Sequence, residues 1–297
     1  MVLYRSLSDG MRADVSAQGF LYKLCGSSQP AILLGDDGHS YVVKFHGFPC
    51  HQALVNEAVG SSLIQRFGLP APAWTSIFLS GEFIDQNPGL WFHSGNRSIK
   101  PLSGLHFASR IIETDGDQRT YQVIPHSWID RVQNRSDFLA VLVLDLWANN
   151  CDRRQAVFLS NSDHSRLFAS FIDNDSMFGG KFGSELTFPR RPMFYDLDLY
   201  RGIWDNKTVQ HWLKIIDGIN EQAIRRMVDN VPKEWAAPRL RLDIVEQLEK
   251  RRILLPRLLR GAEEVLSTGY SLKINRARYA TEPNPYHSTR VHAAIQP

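Results

Sequence analysis

Residues 138–180 read FLAVLVLDLWANNCDRRQAVFLSNSDHSRLFASFIDNDSMFGG. The apolar run Phe138–Trp147 is too dense and too long for one strand and predicts a buried helix. That helix breaks into the polar turn Asn149-Asn150-Cys151-Asp152-Arg153-Arg154. Two short apolar runs follow, Ala156–Leu159 and Leu167–Ile172, and the turn-rich Ser160–Ser165 between them predicts a hairpin. A turn centred near Asp163 pairs residues whose numbers sum to about 327. Asp173 then lies across from Arg154 and Gln155 at the open end of the hairpin, and Asp152 lies at the same end. Two carboxylates and a carboxamide therefore converge where a buried helix delivers the chain. Hard cations such as magnesium favour oxygen ligands of this kind, and phosphoryl transfer needs one carboxylate to steer a hydroxyl and another to hold metal. Helix and strand ends also carry polar residues simply as caps and turn formers, so the rest of the chain must decide between the two readings.

At 297 residues the chain is long enough for a sizeable core, in one large domain or in two lobes around a cleft. Its 43% apolar and 22% charged residues are ordinary for a soluble globular protein. The net charge of +3 is mild and gives no argument for a nucleic-acid partner. Cys25, Cys50 and Cys151 are scattered without a CxxC pair, which suggests neither a disulfide framework nor a zinc site. Residues 1–16 lack the apolar core of a signal peptide. The longest apolar run, Phe138–Ala148, contains Asp145 and is far shorter than a membrane span. The expectation is a soluble, cytoplasmic protein with no membrane partner.

Residues 1–18 are polar and read as a flexible N-terminus. Phe20–Cys25 and Ala31–Leu34 read as strands joined by the small-residue turn Gly26-Ser27-Ser28-Gln29-Pro30, and Asp36-Asp37-Gly38-His39 as a hairpin turn into the strand Ser40–Phe45. In that strand Tyr41, Val43 and Phe45 share one face, Val42 and Lys44 the other. Lys44 is open to two readings, a solvated strand lysine or a phosphate-pairing one. Gly26 to Ser28 stand where a phosphate-covering loop would belong, since small residues let backbone N–H groups approach closely. Residues 51–67 read as a helix with Val55, Val59, Leu63 and Phe67 in one stripe. Glu57 lies off that stripe, as a surface glutamate or as an ion-pair partner for Lys44.

Residues 80–105, rich in Gly, Asn, Ser and Pro, read as a linker between lobes. This places a β-rich first lobe at 19–100 and a second lobe at 101–267. Residues 179–201 read as an ordered loop over the site, and 207–228 and 239–266 as helices, the latter interrupted at Pro256 with its basic residues on a solvated face. Residues 268–297 read as a disordered tail.

In this order the parts resemble a protein-kinase-like phosphotransferase, and specifically the HipA-like kinase family in its bacterial branch. The residues that carry the resemblance are GHSYVVKF (38–45), LVNE (54–57), Gly68-Leu69-Pro70, Asn150-Cys151-Asp152-Arg153 and Phe171-Ile172-Asp173. It spans roughly residues 20 to 260. It implies an α+β, two-lobed fold with a small β-rich N-lobe holding one main helix and a larger, mostly helical C-lobe. It also implies an ATP- and Mg2+-dependent kinase that transfers the γ-phosphoryl group to a serine or threonine hydroxyl of a protein substrate. Asp152 would be the base or substrate-orienting carboxylate and Asp173 the magnesium ligand. Lys44 would pair with phosphate, Glu57 would hold Lys44, and Gly26, Ser27 and Ser28 would cover the phosphates. The sequence departs from the pattern at Val157, where kinase-like loops carry a metal-binding asparagine. Gln155 is the candidate replacement, with Asn174 and Asp175 as further ones. If none substitutes, the alternative is a catalytically impaired nucleotide-binding module that acts through protein interaction.

Overall fold

The computed structural model describes residues 15–47, 52–94, 96–180 and 192–267. The expected tail at 268–297, the first fourteen residues, residues 181–191 of the expected loop at 179–201 and Cys50 lie outside the described residues.

The first half of the chain builds a closed barrel. Its strands are β1 (Val15–Lys23), β2 (Ala31–Gly35), β3 (Ser40–Lys44), β4 (Trp74–Leu79) and, later in the chain, Gly104–Arg110. Around the barrel the order is β1, β2, β3, Gly104–Arg110, β4, and Val15 pairs in parallel with Ile77 to close the ring. The interior is filled by alternating residues of the paired strands, among them Ala31, Leu33, Tyr41, Val43, Phe45, Ile77, Leu79 and Ala108. Alternation in β3 thus commits Tyr41 and Val43 to the barrel core and turns Lys44 to the outside.

Helix α1 (Gln52–Arg66) precedes β4, and the expected stripe Val55, Val59, Leu63 and Phe67 is buried. The span expected as a linker is ordered. It holds helix α2 (Gly81–Gln86), capped by Ser80, whose hydroxyl accepts from the Phe83 N–H at 3.0 Å. It also holds the hairpin β5 (Phe92–Ser94) and β6 (Arg97–Ile99). Strand β7 (Gly104–Arg110) then pairs with both β3 and β4. The barrel therefore extends to Arg110, beyond the boundary expected at 100. His106, Phe107 and Ala108 are all buried, so β7 lacks the in–out alternation that marks a strand in sequence. The first strand starts at Val15 rather than Phe20 for a related reason. Register shifts between Ala17 and Gly19 and between Phe20 and Tyr22 break its period of two, while Val15 itself is buried.

The second half is organised on helix α3 (Ser136–Trp147), where every residue from Phe138 to Trp147 is buried. A short strand β8 (Thr120–Tyr121) precedes it, and the hairpin β9 (Gln155–Ser160) and β10 (Leu167–Ile172) follows. Ser160 faces Leu167 and Gln155 faces Ile172, the register expected from a turn centred near Asp163.

The span expected as one helix at 207–228 is two, α4 (Asn206–Asp217) and α5 (Glu221–Asp229). Gly218 ends the first and the Asn220 side chain caps the second by accepting from Ala223 N–H at 2.9 Å. Helix α6 (Pro238–Ser267) runs unbroken through Pro256. Pro256 lies on the exposed face, and the buried series Ile244, Val245, Leu248, Leu255 and Leu259 holds the helix to the core across the hydrogen bond the proline removes. Nor is its basic face wholly solvated. Arg251 is buried and donates to the Leu146 and Trp147 carbonyls, which satisfies the C-terminal end of α3 just before the polar turn.

Candidate active site

Lys44 leaves the barrel on the side where α1 packs, and there its ammonium meets Glu57. Glu57 is 2% exposed, so the reading of it as a surface residue fails. A buried carboxylate needs partners on both oxygens. Glu57 Oε1 takes the Lys44 ammonium, and Oε2 accepts the backbone N–H of Asn174 at 3.1 Å. One side chain of α1 thereby holds both the strand lysine and the backbone that follows β10.

Asp173 comes to the same ammonium from the end of β10. Lys44 Nζ lies 2.6 Å from Asp173 Oδ1 and 3.5 Å from Asp175 Oδ2. Lys44, Glu57 and Asp173 thus converge, as the resemblance implies, and Asp175 joins them. Burial opposes the charge on Lys44, but Glu57, Asp173 and Asp175 more than offset it and hold the ammonium well above its ordinary pKa. Burial also pushes Glu57 upward, to about 7, against the pull of Lys44. For Asp173 burial acts upward too, but Lys44 and Arg154 outweigh it and keep the carboxyl below its usual value. The site therefore holds one fixed cation among three carboxylates.

Gln155 stands at the start of β9, and its side-chain amide donates to Asp173 Oδ2. Val157, two residues on, faces Ser170 across the hairpin and offers no oxygen of its own side chain. Asp173 has φ +64, in the left-handed region that a residue with a Cβ enters at a cost. Asp152 is exposed on the polar turn. Its N–H donates to Asn150 Oδ1 at 3.1 Å and its carboxylate accepts the Arg153 N–H at 2.7 Å. Among the described residues no hydrogen bond or ion pair joins the Asp152 carboxylate to Lys44 or Asp173. Gly26, Ser27 and Ser28 form the turn between β1 and β2, with Gly26 at φ +134 and open space where its Cβ would be. Gln29, next in the turn, anchors it by exchanging hydrogen bonds of 2.7 and 3.0 Å with the backbone of His93. No described hydrogen bond links this turn to the carboxylates.

The segment after Asp173 is held against α1. Asn56 donates to the carbonyls of Asp175 and Met177 at 2.8 and 2.7 Å, and Asn174 donates to the Ser61 hydroxyl at 3.1 Å. Gly60 permits the close approach, since a Cβ there would lie 2.6 Å from Asn174 Cβ and from Met177 Sδ. Sequence reasoning gave Asn56 no role of its own within LVNE (54–57) and passed over Gly60 and Ser61, which carry no signal beyond their helix. It also passed over the pair Asp145–Arg154. Asp145 did have a signal, as the one charge in the apolar run Phe138–Ala148, which must find a buried partner.

The ligand atoms of Glu57, Asp173 and Asp175 all lie within 4.8 Å of one another. A set of hard carboxylate oxygens at this spacing fits a divalent cation such as magnesium. A second group, His126, Asp196 and Asp198, is knit by the imidazole, whose two nitrogens lie 2.8 and 3.2 Å from the carboxylates.

Among solved structures, the chain is similar to the Helicobacter pylori proinflammatory kinase CtkA, with 11% identity and a TM-score of 0.52 over 86% of this chain and 99% of that one. It is also similar to the Golgi casein kinase, with 13% identity and a TM-score of 0.49 over 84% and 72% of the two chains. At 11% identity the likeness to the first is one of fold: a kinase-like α+β architecture with a β-rich N-terminal part and a helical C-terminal part. No curated protein is similar enough to register as a match. The model of the family described as HipA-like kinase matches residues 23–255, most of the chain and every element that builds the site. The chain belongs to the HipA-like kinase family.

Proposed function

We propose that the protein is an ATP- and magnesium-dependent kinase that transfers the γ-phosphoryl group to a serine or threonine hydroxyl of a protein substrate. The observation that carries this reading is the joining of Lys44, Glu57 and Asp173, from β3, α1 and the end of β10, in one ion-pair cluster. Lys44 keeps its charge at neutral pH and offers donors to phosphate oxygens, and Glu57 fixes its position. Gly26, Ser27 and Ser28 would cover the phosphates with backbone N–H groups. Asp152, exposed on its turn, would accept the proton of the incoming hydroxyl. Asp173 would hold magnesium, with Gln155, Asp175 and Glu57 as the further oxygen donors at hand. When bound, that ion would neutralise charge on the phosphate oxygens.

Incubation with ATP radiolabelled at the γ-phosphate and Mg2+ tests this. Label should appear on the protein or on a partner, and Asp152→Ala should abolish it while the circular dichroism spectrum is unchanged. Val157, in place of the expected asparagine, favours a second reading, an impaired kinase-fold module that binds nucleotide without turnover. That reading predicts a thermal shift with ATP and no label under any divalent metal.

A further inference from the structure

Arg154 and Asp145 are both fully buried and ion-paired. Removing two charges from water is costly, and the pair's attraction does not by itself explain why such a pair is kept in a core. The remaining bonds of the two groups point to what it does. Arg154 Nε donates to Asp145 Oδ2 at 2.9 Å, and its Nη2 to Asp145 Oδ1. Its Nη1 turns the other way, to the Ile172 carbonyl at 2.9 Å and Asn174 Oδ1 at 2.8 Å, the residues on either side of Asp173. Asp145 Oδ1 also accepts from the Asn150 side chain at 3.1 Å, and Asn150 Oδ1 in turn accepts the N–H of Asp152 at 3.1 Å.

We infer that the buried Asp145–Arg154 pair is a positioning hub that sets the two working carboxylates from one point, Asp173 through Arg154 and Asp152 through Asn150. The guanidinium has the donors for this task because its planar fork can serve a carboxylate on one edge and two separate acceptors on the other. Holding both neighbours of Asp173 keeps that residue at φ +64, a conformation its own sequence does not favour. The second arm fixes the backbone N–H of Asp152 and so the direction in which its exposed side chain leaves the turn. Neither Arg154 nor Asp145 touches substrate in this account. The inference rests on the proposed roles of Asp152 and Asp173, and its test keeps the two apart.

The test uses the full chain, with Mn2+ as a paramagnetic probe titrated in the presence of ATP and followed by electron paramagnetic resonance, alongside kcat and KM for ATP. Saturable Mn2+ binding by the wild-type protein is required by the proposed function, and its absence would overturn that reading whatever the variants do. Given wild-type binding, Arg154→Lys keeps the charge but cannot span Asp145, Ile172 and Asn174. It should weaken Mn2+ binding by roughly ten-fold or more, the range typical of groups that orient metal ligands, and lower kcat with less change in KM. Asn150→Ala cuts only the arm to Asp152. It should lower kcat while Mn2+ affinity stays within two-fold or so of wild type, the level expected where the metal arm is intact. Because Arg154→Lys tests folding as well, Asp145→Asn serves as its partner. It keeps the shape of the site and should also weaken Mn2+ binding. If the folded variants of Arg154 or Asp145 keep wild-type Mn2+ affinity and kcat, losing only thermal stability, the pair is structural and the inference is overturned. Equal loss of Mn2+ affinity in Asn150→Ala would overturn the two-arm arrangement.

Discussion

Replacing Lys44 with methionine removes, among the described residues, the one cation ion-paired to the carboxylates of Glu57, Asp173 and Asp175, and its consequence can be worked out from the distances. Their oxygens lie within 4.8 Å of one another. At an effective dielectric constant of about 20, two unit charges at that separation repel by roughly 3 kcal/mol. Three such pairs come to about 10 kcal/mol, comparable to the whole stability of an ordinary fold, so the variant relieves the repulsion by taking up protons or by opening. The measured loss should therefore fall near the ~3–5 kcal/mol seen when one member of a buried ion pair is deleted. Glu57→Gln makes the opposite change. It leaves Lys44 with Asp173 and Asp175 and lowers the excess of negative charge, and its cost should stay within about 1–2 kcal/mol. Urea denaturation of both variants at pH 8, followed by tryptophan fluorescence, gives the comparison. Millimolar Mn2+ should restore part of the stability of Lys44→Met, because a cation takes up the carboxylates that the ammonium has left. Equal midpoints for Lys44→Met and wild type, with no response to Mn2+, would refute the reasoning.

His106 makes a second prediction, on β7 beside Phe107, the residue that pairs with Lys44. It is wholly buried, its Nδ1 accepts the His46 N–H at 2.9 Å and its Nε2 donates to the Leu102 carbonyl at 3.1 Å, so the neutral ring is the one that fits. Burial lowers its pKa from 6.5 to about 4. The unfolded chain binds this proton more readily, so the stability due to His106 is complete above pH 6.5 and is lost as pH falls toward 4. The loss is about 3 kcal/mol in all, and the pH profile of His106→Gln should lack that slope between pH 4 and 6.5. Gly60→Ala gains about 0.5–1 kcal/mol of helix preference but drives a Cβ into Asn174 and Met177. A net destabilisation of about 1–3 kcal/mol is expected, and a thermal melt no lower than wild type would count against the close packing of α1 on residues 174–177. Leu142→Ala, at the fully buried centre of α3, should cost about 2–5 kcal/mol in chemical denaturation.

Much of the site could be read in the sequence because its parts obey local rules. The Asp163 turn fixed the hairpin register, and with it the neighbourhood of Gln155 and Asp173, and alternation in β3 put Lys44 opposite Val43. What stayed hidden depends on contacts far apart in the chain. Helical periodicity alone does not distinguish Glu57 from a surface glutamate, and only the arrival of Asn174, 117 residues later, gives its second oxygen a partner. Strand β7 was illegible because a buried histidine takes a place where the pattern calls for an apolar or a solvated residue. Pro256 misled in the other direction. A proline removes one helical hydrogen bond, and here burial of Leu255 and Leu259 on the opposite face holds the helix together past Pro256. Arg251 read as part of a solvated face and Arg154 only as a turn residue, since burial of an arginine follows from the acceptors that surround it and not from its neighbours in sequence.

The most direct measurement is a crystal structure of the full chain grown with Mn2+ and a non-hydrolysable ATP analogue, with manganese located by its anomalous signal. Manganese should be bonded to an Asp173 carboxylate oxygen at about 2.1 Å, the distance of a hard cation to oxygen, with the analogue's phosphates within hydrogen-bond reach of Lys44. A nucleotide bound elsewhere, or manganese held without Asp173, would contradict the proposed function.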